Sequence, residues 1–188
     1  MQREEFRCHI YQSLTGCEGL RLPQRNHGPI LTLTYTLHVT FTLHVTNEQT
    51  PQAAKNGTDL MSLFLPVSPF VELLDIRAEK LTDDEAVLRM PWRPELATTA
   101  DMVHGGAIAA LADITTMVSA WCGRELPEQL RGVTTSLALE FLEPARAEDL
   151  LGTGRALRRG KTLTACEVDI VTVAGTRVAK ALASYKVG

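Results

Sequence analysis

The residues best placed to do chemistry fall in one stretch, His104 to Cys122, which reads HGGAIAALADITTMVSAWC. Asp113 is the only Asp, Glu, Lys or Arg between His104 and Gly123. A carboxylate among so many apolar neighbours is costly to bury unless it is paired or hydrogen-bonded. Such an acid is a candidate general base or nucleophile, and a structural hydrogen bond or ion pair is the competing use. Nine residues earlier stands His104, followed by Gly105-Gly106. The first backbone N–H groups of a helix lack internal partners and carry partial positive charge. With no Cβ in the way, a ligand oxygen can approach that backbone, so the end can hold an anion or a developing oxyanion. Taken alone, two glycines also mark an ordinary turn into a helix. No G-x-S-x-G elbow and no Cys/His zinc spacing occurs.

The spacing predicts one long helix from His104 to about Cys122, apolar on nearly every side and therefore buried nearly all round. Asp59 is read as the cap of a short helix ending before Pro66. Strands are expected at Val71–Lys80 and Ala86–Trp92, around the turn Thr82-Asp83-Asp84, with an irregular stretch from Arg93 to Val103. Alternating runs follow at Val133–Leu142, Leu150–Leu157, Leu163–Val173 and Arg177–Val187, separated by turns at Glu143-Pro144, Arg159-Gly160 and Ala174-Gly175. That order is α+β: a largely antiparallel sheet packed on one central helix.

The first 58 residues have a different character. From Leu31 to Val45 every odd position is apolar or aromatic, and from Thr32 to Thr46 every even position is Thr or His, a period-2 pattern. His38 and His44 would share a face, but two histidines without a third ligand make a poor metal site, so no metal is expected. We read residues 1–58 as an N-terminal extension and 59–188 as the functional domain. Across all 188 residues, 19 basic and 22 acidic side chains leave a net charge of −3. A chain built to grip nucleic acid or an anionic membrane would show a basic excess, so neither is expected as a partner. Cys8, Cys17, Cys122 and Cys166 form no CxxC pair, and the expected compartment is the reducing cytoplasm.

HGGAIAALAD, together with GVTTSLALEFLEPA (Gly132–Ala145), RALRRGKT (Arg155–Thr162) and TRVAKALASYKV (Thr176–Val187), resembles the PaaI-like, phenylacetate-degradation-type acyl-CoA thioesterases of the hotdog superfamily. The resemblance runs from about Phe70 to Val187. It implies a hotdog fold, an antiparallel sheet wrapped around the central helix. Residue by residue, it implies Asp113 as nucleophile or base for water and the Gly105 N–H as donor to the thioester carbonyl. It implies His104 as the residue holding that turn, and Thr134 on a strand beside the reacting centre. Gly106 and Thr98 would line the substrate site, and Arg158, Arg159 and Lys161 would meet the nucleotide end of coenzyme A. Two positions depart from the family pattern: Thr98 stands where many members have Asn, and Asp101 where they have Gly. Asp101 brings negative charge toward a helix start that should receive an oxyanion.

A thioester needs an attacking water or carboxylate, an oxyanion site and little help for its leaving thiolate. One ionised acid and one helix start supply these without a metal or redox cofactor, so none is expected beyond the coenzyme A of the substrate. A non-catalytic acyl-CoA-binding or regulatory hotdog protein is the alternative reading, and an acyl-thioester hydratase or dehydratase a further one. Met102, Met117 and Trp121 are pocket candidates as well as ordinary core. Gly105 and Asp113 are separated by about 12 Å along the helix axis at 1.5 Å per residue. The expected arrangement is therefore a homodimer with active sites shared across a two-fold axis, a tetramer being left open.

Overall fold

The computed structural model describes residues 54–188. The Leu31–Thr46 pattern, His38, His44 and the first two cysteines lie outside the described residues. Helix α1 spans Gly57–Phe64 and is followed by a 3-10 turn at Leu65–Val67 and helix α2 at Pro69–Leu73. Strands β1 (Arg77–Leu81) and β2 (Glu85–Met90) form a hairpin. A second 3-10 turn and two short strands, β3 (Ala97–Thr99) and β4 (Met102–Val103), lead into the long helix α3, Gly105–Trp121. Strands β5 (Gly132–Phe141), β6 (Leu150–Arg159), β7 (Leu163–Thr172) and β8 (Arg177–Val187) complete the sheet. Its order is β1-β2-β6-β7-β8-β5 with every pairing antiparallel. Helix α3 packs across β2, β6, β7, β8 and β5, so the predicted α+β architecture is the observed one.

Close packing of α3 on the sheet depends on two glycines of β6. A Cβ on Gly152 would stand 2.5 Å from Thr115 Oγ1, and one on Gly154 would stand 2.2 Å from Ser119 Oγ. Leu88, Leu111, Val118, Leu150, Val168, Ile170 and Val178 fill the space between helix and sheet. The hydroxyls buried there donate back along the helix, Thr115 to the Leu111 carbonyl at 2.7 Å and Ser119 to the Thr115 carbonyl at 2.8 Å.

Three expectations are corrected. The cap of α1 is Asn56, whose Oδ1 accepts from the Asp59 N–H at 2.8 Å, so Asp59 occupies the first turn. Val71 opens no strand. Pro69 presets a helical φ, and Val71 and Leu74 are buried at an i, i+3 spacing while Phe70 and Leu73 face outward. The third concerns α3, which is not covered all round. Gly106 is exposed, and Ala109, Ala110, Asp113 and Met117 are only half-buried, leaving an open stripe. Strand β5 lies at the sheet edge beside this stripe and exposes Val133 and Phe141.

Candidate active site

The start of α3 is fixed by its backbone. Val103 N–H donates to the Ala145 carbonyl at 3.0 Å and His104 N–H to the Leu96 carbonyl at 2.7 Å. His104 is the N-cap, in an extended conformation with φ −65° and ψ 133°. Its Nδ1 accepts the Gly106 N–H at 2.8 Å, and its carbonyl accepts from Ala107 and Ile108. These bonds occupy the second, third and fourth amides of the helix. The Gly105 N–H finds no acceptor among the described residues. Gly105 lines a cleft of about 280 Å³ with Thr98, Met102, Ile108 and Phe141. The Phe141 ring stands 3.5 Å from where a Cβ on Gly105 would be.

Two turns further on, Asp113 sits half-buried on the open stripe. Thr134 Oγ1 donates to its Oδ1 at 2.6 Å, a distance typical of a charge-assisted bond. Oδ2 has no donor among the described residues. The expected acid, isolated and buried, is thus a partly open carboxylate with one oxygen held and one available. A β-bulge aims Thr134. Thr134 pairs with Tyr185 and Ser136 with Ser184, and the intervening Thr135 donates its hydroxyl to the Ser184 carbonyl at 3.0 Å. Tyr185 is buried beside this corner. Burial pushes its phenol up, the Trp121 side chain opposes the shift, and the negative charge of Asp113 adds to it.

Thr98 is exposed in the Gly105 cleft. Asp101 is exposed and accepts from Arg146 Nη1 at 2.8 Å, so its charge is matched by a guanidinium at the helix start. The basic residues of the β6–β7 turn are separated. Arg158 and Lys161 line a cleft of about 290 Å³ with Gly160, Thr162, Leu163 and Ala165. Arg159 is outside that lining; its Nη2 donates to the Cys122 carbonyl at 2.9 Å and the Asp83 carbonyl at 2.6 Å, fastening the C-terminus of α3. Of the pocket candidates, Met102 lines the Gly105 cleft, Met117 lies on the open stripe and Trp121 is core. Among the described residues no group of three His, Cys, Asp or Glu is placed to hold a metal ion.

Sequence reasoning missed Tyr185, Phe141 and Arg146. It also missed a second apolar cleft, about 260 Å³, where Phe70 and Leu74 face His104, Gly106, Ala107 and Ala110. None of these carries a local signal, because each reaches the site from a distant segment.

The thioesterase superfamily model matches residues 100–179, which hold α3, Asp113 and Thr134. A protein of Saccharolobus solfataricus, named as a candidate esterase, is 28% identical over 123 residues, covering 65% of this chain and 86% of its own. Two solved structures share the fold. PaaI of the E. coli phenylacetic acid degradation operon matches with a TM-score of 0.62 at 17% identity, over 72% of this chain and 96% of its own. A hypothetical thioesterase of Streptococcus pneumoniae, solved with coenzyme A, matches with a TM-score of 0.53 at 24% identity, over 60% of this chain and 85% of its own. Over residues 100–179 the chain is similar to the thioesterase superfamily, and its fold is the hotdog fold. The superfamily match and the esterase name of the Saccharolobus relative support a hydrolase. No helix among the described residues is long and apolar enough to cross a membrane.

Proposed function

We propose that the protein hydrolyses an acyl-CoA thioester to the free acid and coenzyme A, in active sites shared between two copies of the chain. The observation that carries this reading is the pair of unfinished interactions on one open helix face. Among the described residues the Asp113 carboxylate is held through Oδ1 with no donor on Oδ2, and the Gly105 N–H at the helix start has no acceptor. The first attacks or activates an attacker; the second polarises a carbonyl.

These groups stand about 12 Å apart along α3, so one carbonyl carbon cannot meet both in a single chain. Two α3 helices running antiparallel across a two-fold axis bring the Gly105 of one beside the Asp113 of the other, twice per dimer. The open stripe on α3 and the exposed apolar residues of edge strand β5 support that assembly. The thioester oxygen then accepts the Gly105 N–H while Asp113 takes a proton from water. Hydroxide adds to the carbonyl carbon, the C–S bond breaks, and the thiolate leaves and is reprotonated. Asp113 serves equally as the direct nucleophile, forming an anhydride that water then opens. His104 holds the turn, Thr134 orients the carboxylate, and Gly106 and Thr98 line the walls. Arg158 and Lys161 supply positive charge for the phosphates of coenzyme A; the coenzyme A bound by the pneumococcal relative supports that choice of substrate.

A panel of acyl-CoAs assayed by thiol release tests the reading. Turnover should fall at least about 100-fold in Asp113→Asn, the low end for a positioned acid or base. Tight acyl-CoA binding without thiol release by the native protein would identify a non-catalytic binder instead. Hydration of an enoyl-CoA would identify a hydratase.

A further inference from the structure

The β6–β7 turn is held from outside by a residue that no motif marks. Arg124, just past the C-terminus of α3, reaches across to the turn with both terminal nitrogens. Nη2 donates to the Gly160 carbonyl at 2.7 Å and to Thr164 Oγ1 at 2.9 Å, and Nη1 donates to the Lys161 carbonyl at 3.3 Å. Gly160 and Lys161 are themselves walls of the basic cleft, with Arg158 and Thr162. The same turn is anchored by the Gly160 N–H on the Leu163 carbonyl at 2.8 Å and by the Val187 N–H on the Thr162 carbonyl at 2.7 Å. A bulge between Ala156 and Arg158 shifts the alternation of β6 by one residue just before the turn, which sets the side taken by each of the two adjacent arginines. Arg158 enters the cleft while Arg159 fastens the helix end.

We propose that Arg124 is a positioning residue for substrate recognition: it sets the shape of the β6–β7 turn so that Arg158, Lys161 and Thr162 meet the phosphates of coenzyme A. Arg124 touches no substrate atom in this arrangement. The Gly160 and Lys161 carbonyls that accept from its guanidinium have their negative charge offset, which lowers their repulsion of phosphate oxygens. Lys cannot replace it, because a single ammonium lacks the planar fork that spans two carbonyls and a hydroxyl. Half-burial and the nearby Arg159 charge press its pKa down from the ordinary arginine value, yet a guanidinium stays protonated. The inference rests on the acyl-CoA reading and names how that substrate is gripped.

The test compares one acyl group on two carriers, coenzyme A and N-acetylcysteamine, the second lacking every phosphate. Arg124→Ala should raise KM for the acyl-CoA by roughly tenfold, the loss of one charge-assisted interaction, with kcat held within about twofold. Its kcat/KM on the N-acetylcysteamine thioester should match the native protein. Arg124→Lys, which keeps the charge and one bond, should fall between and serves as the readout if the alanine variant does not fold. Arg124 variants with an unchanged KM for acyl-CoA overturn the inference, and so does an equal loss on both carriers, which marks general damage. Native protein that turns over neither carrier overturns the acyl-CoA reading itself.

Discussion

Thr134→Val removes one hydroxyl and almost no volume, and so isolates the bond that holds Asp113. The 2.6 Å contact from Thr134 Oγ1 to Asp113 Oδ1 is the only hydrogen bond to that carboxylate among the described residues. Hydrogen bonds to charged groups are worth about 1.5–3 kcal/mol. If that energy orients the carboxylate in the transition state, its loss lowers kcat by roughly 10- to 150-fold, at tenfold per 1.36 kcal/mol. Thr134→Ser keeps the hydroxyl and should keep most of the rate. Stability should change little, because Thr134 is half-buried on an edge strand and valine favours a strand. The assay is steady-state thiol release, with the double variant Thr134→Val/Asp113→Asn completing a cycle. Acting through Asp113, Thr134→Val should add almost nothing once Asp113 is Asn. Full activity in Thr134→Val, or a loss that multiplies with that of Asp113→Asn, would refute the coupling.

Other expectations bear on the scaffold. Gly154→Ala drives a methyl to 2.2 Å from Ser119 Oγ and 2.8 Å from Thr115 Cγ2, and should cost about 1–3 kcal/mol of unfolding free energy in a denaturant titration. Adding Ser119→Ala removes the nearer clash and should restore part of that loss. Burial pushes the thiols of Cys122 and Cys166 up to about 11. The folded state therefore keeps protons that the unfolded chain releases above pH ~8.5, so stability should fall as pH rises from there to about 11. In Cys122→Ala/Cys166→Ala, chemical denaturation at pH 8 and pH 10 should show a smaller drop than in the native protein. Peptide mapping after thiol labelling at pH 8 should find Cys122 and Cys166 unmodified until the chain is unfolded.

Helix α3 is legible because a capping residue, two glycines and an apolar run coincide, β7 because its alternation is uninterrupted, and β8 because it alternates from Ala179 to Val187, past the doubled Val178-Ala179. The Val71 segment misleads because the apolar pair Val71 and Leu74 fits a helical turn only once Pro69 sets its start. Asn56 and Asp59 are both good caps three residues apart, and the order of cap and first turn is settled by which backbone N–H lies within reach. The openness of α3 escapes single-chain patterning: alanines and a methionine read the same whether a sheet or a second chain covers them. Within the site, HGG and Asp113 stand in one helix and are readable together. The Asp101–Arg146 pair spans 45 residues and the Arg124–Gly160 bond 36, with no periodicity joining them. A single bulge at Ala156/Arg158 decides which of two adjacent arginines enters the cleft, and alternation alone cannot foresee it.

The shared active site is tested most directly by mixing two inactive variants. Asp113→Asn removes the carboxylate, and Gly105→Pro removes the helix-start N–H. Proline is tolerated there because His104 already holds the extended backbone that precedes a proline and the lost N–H has no acceptor among the described residues. Each variant alone should be at least about 100-fold down in thiol release. Co-expression in equal amounts, with mixed dimers verified by native mass spectrometry, places both lesions in one site of each mixed dimer and leaves the other intact. Activity should return to about a quarter of the native value by counting over a two-fold dimer. Confirmed mixed dimers that stay as inactive as their parents would contradict the pairing of Gly105 from one chain with Asp113 from the other.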